Sequence, residues 1–235
     1  MRERGDLTCF HEPFMYDYYA HRKVRTMPYF TVMPGHPVSY DDISSMLLNE
    51  AHTAPVFFKD MCYYVVPQIL DDVPLLSRLT HCFLIRDLKA AILSYYKLDA
   101  DVTQEEIGLE AQTMMIDKLH ERGNKTLVIQ AEDMRTNPSA TLNKLWQFTG
   151  LKPMTDSHQW HDKPVDDWQQ VSGWHKSVIE SKGIETITTS QLVAEREKSH
   201  HDFDKACLDA PQLQTYFEHH QPFYQKLRKH AEDTV

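Results

Sequence analysis

Glycine is scarce in this chain, with 7 residues in 235, where average usage of ~7% would supply about 16. No GxxxxGK[ST] and no GxGxxG occurs in it, so neither of the common glycine-rich phosphate cradles is present. Positive charge is also short. Lys and Arg number 25 against 34 Asp and Glu, a net charge of -9. That balance argues against general nucleic-acid binding, which needs a basic surface, but it leaves room for a local basic pocket around a small anion. The four cysteines, Cys9, Cys62, Cys82 and Cys207, form no CxxC, and three of them lie in apolar stretches. This usage fits a reduced, cytoplasmic protein better than a disulfide framework. No apolar run approaches about 18 residues, and the first residues carry no signal-peptide pattern. No membrane span is expected.

What is present is ordinary globular composition, 41% hydrophobic and 25% charged. The length suits one domain, or one domain with an appendage. Four short runs read as strands: "LTCF" (Leu7 to Phe10), "PVFFK" (Pro55 to Lys59), "CFLIR" (Cys82 to Arg86) and "TLVIQ" (Thr126 to Gln130). They are apolar almost throughout, which predicts a sheet covered on both faces.

Helical patterns lie between the strands. Ser39 to His52 opens on a Ser cap with two acids behind it, and Asp87 to Leu98 opens on an Asp cap. "TQEE" at Thr103 to Glu106 has capping-box spacing and predicts a helix lasting to about Arg122. Asn137 to Gly150 has an Asn cap, Pro at the first helical position and Gly at the stop. Strands alternating with helices predict an α/β fold with a parallel sheet flanked by helices. We place that core over residues 1–150. Residues 151–235 read as a less regular extension of the same domain, with a helix from Pro211 to His230 broken near Pro222.

In an open parallel sheet, ligands bind beyond the carboxyl ends of the strands. The residues there are His11 and Glu12, Lys59 and Asp60, Arg86 and Asp87, and Glu132 and Asp133. Cations and carboxylates thus gather where an anionic ligand and an acid or base would be needed. The third exit is the most specific. In "FLIRDLKAAILSYY" (Phe83 to Tyr96), Leu88, Ala91, Ile92, Tyr95 and Tyr96 form the expected core stripe of a helix, and Ser94 lies off it. Ser94 is roughly 9 Å along the helix from Leu88 at 1.5 Å per residue, within reach of Arg86. An anion gripped by both would also feel the positive helix N-terminus. On spacing alone a second reading stands beside this one: Ser94 bonded to its own helix backbone, and Arg86 paired with Asp87 or a neighbouring acid.

The same stretch resembles the 3′-phosphate-binding segment of sulfotransferases that use 3′-phosphoadenosine 5′-phosphosulfate (PAPS). There a strand ends in Arg, and a Ser follows eight residues later, before Tyr-Tyr. Arg86 and Ser94 match, while Leu88 departs from the usual Pro. Val128 to Leu151 is similar to the family's acidic turn, Asn-Pro and amphipathic helix ending in Phe-x-Gly-Leu. "VFFKDM" (Val56 to Met61) resembles the strand whose Lys contacts the sulfate donor. With "RGDLTCFHEPF" the likeness covers roughly Arg4 to Gly183.

The resemblance implies a P-loop NTPase-like sulfotransferase fold and sulfuryl transfer from PAPS, as co-substrate and without a metal, to a hydroxyl or amine of an acceptor the sequence does not name. It implies that Arg86 and Ser94 hold the 3′-phosphate, that Lys59 stabilises the bridging oxygen and leaving phosphate, and that Glu12 is the general base. His11 is the runner-up base. Where some members place a His two residues after the Lys, this chain has Met61. Trp174 is a candidate to stack on the adenine, with core packing as its alternative. The pairs His200-His201 and His219-His220, like His158 and His161, lack further ligand spacing and read as solvated polar residues. Glu132 and Asp133 read as loop ties.

The family's sheet begins with a strand, a phosphosulfate loop and a helix, none of which precedes "RERGD" in this chain. "MRERG" itself reads as the last turn of a helix, or as a charged tail. The expectation is therefore a chain lacking the first βα unit. The competing function is a non-catalytic, degenerate sulfotransferase-fold binding protein. A kinase-like P-loop relative is the third reading, and the absent Walker loop argues against it.

Overall fold

The structure, a computed structural model, describes residues 1–154, 158–160, 166–171, 173–174 and 180–233. The described residues divide into two compact units. The first comprises Met1–Leu79 with Met154–Gly183, and the second Thr80–Pro153 with Ile184–Val235. Residues after 150 therefore contribute to both. The four expected strands are all present and pair as two parallel ladders flanked by helices.

In the first unit, β1 (Thr8–His11) runs parallel to β2 (Val56–Lys59), with His11 opposite Lys59. The helix Tyr40–Glu50 lies between them in sequence. Its cap is the expected one: the Ser39 hydroxyl accepts from the Asp42 amide at 3.2 Å. The core of this unit is aromatic. Phe14, Tyr16, Tyr18, Tyr63 and Tyr64 are all buried, and Phe14 stacks on Tyr40 at 4.9 Å between centroids. Tyr16–His21 forms a π-helical turn, an arrangement that is rare and often found at functional sites. Its Asp17 is clamped by the Arg22 guanidinium at 2.6 Å and accepts the Tyr40 amide at 3.1 Å.

In the second unit, β3 (His81–Ile85) runs parallel to β4 (Thr126–Gln130), with Ile85 opposite Gln130. Coverage on both faces holds only for β4, which is buried through Ile129. In β3, His81, Phe83 and Ile85 are buried while Cys82 and Leu84 are exposed, the alternation of a strand with one face packed. β1 and β2 are half-buried apart from the exposed Lys59.

The helix Leu88–Leu98 starts at Asp87, whose carboxylate accepts from the Ala90 amide at 3.0 Å. Its buried stripe is Leu88, Ala90, Ile92 and Leu93, with Ala91, Tyr95 and Tyr96 half-buried. The stripe is rotated from the expected one because the helices Thr189–Asp209 and Gln212–Asp233 both pack against this helix.

Three further expectations change. Glu106 does reach back to the Thr103 amide at 2.9 Å, but the turn Glu105–Ile107 stops at Gly108, which sits at φ 80°, and a separate helix runs over Leu109–Glu121. The region after 151 holds a 21-residue helix, Thr189–Asp209, with a complete capping box between Thr188 and Gln191. The final helix, Gln212–Asp233, passes through Pro222 without ending. Its buried anchors Leu213, His220 and Leu227 hold it to the core on both sides of the proline, so packing outweighs the lost backbone bond.

Candidate active site

The parallel pairing of β1 and β2 brings their carboxyl ends side by side, and the chemistry of the first unit collects there. The Glu12 amide extends the ladder by one bond, donating to the Lys59 carbonyl at 2.7 Å. Glu12 itself takes φ 46°, a left-handed conformation that costs a non-glycine residue roughly 1–2 kcal/mol and is typical of functional positions. It is buried, with 8% of its surface exposed. The Lys59 ammonium donates to Glu12 Oε1 and also meets the Met61 sulfur at 3.4 Å. The Tyr64 hydroxyl donates to Glu12 Oε2 at 3.3 Å. His11 places Nε2 3.8 Å from Glu12 Oε1 and rests edge-on to Trp168, with ring centroids 6.2 Å apart. Glu12, Lys59 and His11, three candidates named from sequence, are thus neighbours.

Two residues that sequence reasoning gave no role, Gln170 and Tyr64, complete this cluster with Asp60, which it placed at the strand exit without a specific task. Gln170 is buried, accepts from the Tyr16 hydroxyl at 2.6 Å and donates to the His11 carbonyl at 2.9 Å. It fixes the end of β1 from more than 150 residues away, a relation that no local pattern signals. Tyr64 follows from the aromatic richness around β2 but not from any motif. Asp60 is pushed well above the usual carboxylate range by burial and by the adjacent Glu12, against the smaller opposing effects of the Phe14 amide and Lys59. Trp174 donates its indole N–H to the Pro28 carbonyl at 2.9 Å, so it is anchored in the first unit. His161 lies outside the described residues.

In the second unit the two readings of Arg86 and Ser94 separate. Asp87 does not pair with Arg86. Its carboxylate caps Ala90, lies 3.0 Å from His200 Nε2 through either oxygen, and faces Arg196 at 3.7 Å. The Asp87 amide donates to Glu132 at 2.8 Å, so Glu132 is the loop tie expected of it. Among the described residues Arg86 makes no ion pair, and the Ser94 hydroxyl makes no hydrogen bond to its helix or elsewhere. Arg86 is exposed and Ser94 half-buried. A cavity of about 260 Å³ opens at the start of this helix, lined by Asp87, Lys89, Gln130, Arg196, His200 and Arg228 among others. It is a local concentration of cations in an acidic chain.

Of the other histidines, His201 is exposed as expected, whereas His219 and His220 are held by partners. His219 meets Glu110 at 2.8 Å, and His220 is buried with Nε2 donating to the Gln104 carbonyl at 2.7 Å. Among the described residues no group of three or more His, Cys, Asp or Glu is placed to hold a metal ion. No helix there is long and apolar enough to cross a membrane.

A family model described as a sulfotransferase domain matches residues 1–206. No curated protein and no solved structure matches the chain. With most of its length covered by that model, the chain belongs to the sulfotransferase family.

Proposed function

We propose that the protein transfers a sulfuryl group from PAPS to a hydroxyl or amine of an acceptor. Glu12 acts as the general base and Lys59 acts on the leaving phosphate. The observation that carries this reading is the pairing of the Lys59 ammonium with Glu12, which sets an acid/base group and a cation together at a strand exit. Glu12 would take the proton of the acceptor as its oxygen or nitrogen forms the new bond to sulfur. The bond from sulfur to the bridging phosphate oxygen breaks, and the electron pair leaves with adenosine 3′,5′-bisphosphate. Lys59 would neutralise the charge that grows on that oxygen, the electrostatic contribution that dominates such transfers. The Tyr64 hydroxyl and the Gln170 clamp keep Glu12 and the end of β1 in place.

The resemblance assigns the 3′-phosphate to Arg86 and Ser94 and the adenine to Trp174. Arg86 and Ser94 support it by having no partner among the described residues, and the indole of Trp174 is held by Pro28. Free thiols at Cys9, Cys62, Cys82 and Cys207 support a reducing, cytoplasmic setting. One observation favours the competing reading of a non-catalytic binding protein: Lys59 and Glu12 satisfy each other, as a structural ion pair would. The test is transfer of labelled sulfuryl from PAPS to a panel of alcohols, phenols and amines. Transfer that Glu12→Gln and Lys59→Met abolish supports catalysis. Binding of the nucleotide with no transfer to any acceptor supports the second reading.

A further inference from the structure

Asp60 follows Lys59 directly at the exit of β2, and its carboxyl is poorly served. Oδ2 receives one long hydrogen bond, 3.4 Å from the Phe14 amide. Oδ1 is sealed from solvent and meets no donor among the described residues. Lys59, the cation whose charge acts on it, is already engaged, because its ammonium is held by Glu12 and the Met61 sulfur. Asp60 as a whole residue is half-buried, but its sealed Oδ1, if ionised, would be a charged oxygen with no donor beside a second carboxylate, a costly arrangement. An un-ionised carboxyl leaves only a neutral polar atom there. Burial and Glu12 both act in this direction on Asp60, and burial together with Asp60 pushes the Cys62 thiol up to about 12.

We propose that Asp60 is a positioning residue that stays a neutral acid, so that Lys59 faces a single carboxylate and the strand exits present no net negative charge to an anionic donor. With Asp60 neutral, Lys59 and Glu12 cancel. With Asp60 ionised, the same three groups carry one negative charge. Binding of a phosphate-bearing donor at Lys59 therefore favours the protonated form, and Asp60 takes up a proton wherever binding begins from the ionised form. This rests on the proposed role of Lys59 at the donor. His11, Glu12, Lys59, Cys62 and Tyr64 also border the cluster, and all of them remain in Asp60→Asn, so the difference between the two proteins isolates Asp60.

Two measurements test it. Infrared difference spectra at neutral pH should show the C=O stretch of a protonated carboxyl in the wild type and its loss in Asp60→Asn. Glu12→Gln, which leaves Asp60 in place, should make that band disappear at lower pH, because the neighbouring charge is gone. Absence of the band from the wild type at neutral pH overturns the proposal. Second, affinity for adenosine 3′,5′-bisphosphate is followed by calorimetry across alkaline pH in buffers of different ionisation heat. The wild type should take up close to one proton and lose about tenfold in affinity per pH unit once Asp60 ionises. Asp60→Asn should lose that slope while keeping its affinity at neutral pH. An unchanged slope in Asp60→Asn, or an equal loss of affinity at every pH, overturns the positioning role. If the wild type fails to bind the nucleotide at all, the donor reading falls, and with it Asp60's role toward a donor. The infrared band then reports the protonation of Asp60 by itself.

Discussion

Lys59 and Glu12 are joined twice at the ends of neighbouring parallel strands. The Glu12 amide donates to the Lys59 carbonyl at 2.7 Å, and the Lys59 ammonium donates to the Glu12 carboxylate. The backbone bond fixes where the two side chains begin, and the ion pair fixes where they end.

Glu12→Gln keeps the shape and the backbone bond and removes only the basic oxygen. Turnover should fall by about 10²- to 10⁴-fold, the usual contribution of a general base. Stability should change little, because the Lys59 side chain is 48% exposed and such pairs are worth up to about 1 kcal/mol. Steady-state kinetics beside urea denaturation separates the two effects. Wild-type turnover in Glu12→Gln would move the base to His11, whose imidazole lies 3.8 Å away.

Gln170 holds both the Tyr16 hydroxyl and the His11 carbonyl. Gln170→Ala should destabilise the protein by about 1–3 kcal/mol, since it leaves buried polar atoms without partners. It should also loosen the end of β1 and lower turnover through Glu12. Urea denaturation measures the first effect. A variant as stable and active as the wild type would show that the clamp is idle.

Stability should fall in mild acid. The Thr126 hydroxyl lies 2.8 Å from His120 Nε2 and 2.9 Å from His230 Nε2. Its single proton can serve only one of them, so one imidazole must accept and the other donate. Burial, with His120 beside it, pushes His230 down, and burial pushes His220 down. Both are lowered from an unfolded value of 6.5. The unfolded chain therefore binds more protons than the folded one as pH falls, and the stability present above about pH 6.5 is lost progressively below it. Glu110 and Asp233 oppose the shifts, at His220 and His230 respectively. Thermal melts at stepped pH should show the decline, and His230→Gln should flatten part of it. Melting temperatures that do not change across that range would contradict the account.

His200 touches no proposed ligand, yet His200→Ala should weaken nucleotide binding. It holds Asp87 at 3.0 Å, away from the neighbouring Arg86. Without it Asp87 keeps only the Ala90 amide and the more distant Arg196 and can turn toward Arg86, at a cost to phosphate binding of roughly 0.5–1 kcal/mol. Titration of His200→Ala with adenosine 3′,5′-bisphosphate checks this. Unchanged affinity would mean that the Ala90 amide and Arg196 retain Asp87 without His200.

The local signals in this sequence were legible. Ser39, Asp87 and Asn137 cap the helices they were expected to cap, and Gly150 closes its helix at φ 70°. These are bonds between residues three or four apart, which sequence encodes directly. The turn at Gly108 and the continuity through Pro222 were not, because each depends on whether packing supports or interrupts a helix. The strand exits showed which charges gather there. They did not show that Asp87 is engaged by a residue 113 positions away, or that Gln170 and Tyr64 complete the surroundings of Glu12. The helix Thr189–Asp209 had a readable start in its Thr188-x-x-Gln191 box, but its polar body hides the periodicity.

The central claim, that this sulfotransferase uses PAPS through Arg86 and Ser94, is tested most directly by calorimetric titration with adenosine 3′,5′-bisphosphate. The wild type should bind at a single site. Arg86→Ala should weaken binding by about 1.5–3 kcal/mol, the range for a hydrogen bond to a charged group, and Ser94→Ala by about 1 kcal/mol. A wild type that does not bind, or variants that bind as the wild type does, would contradict it.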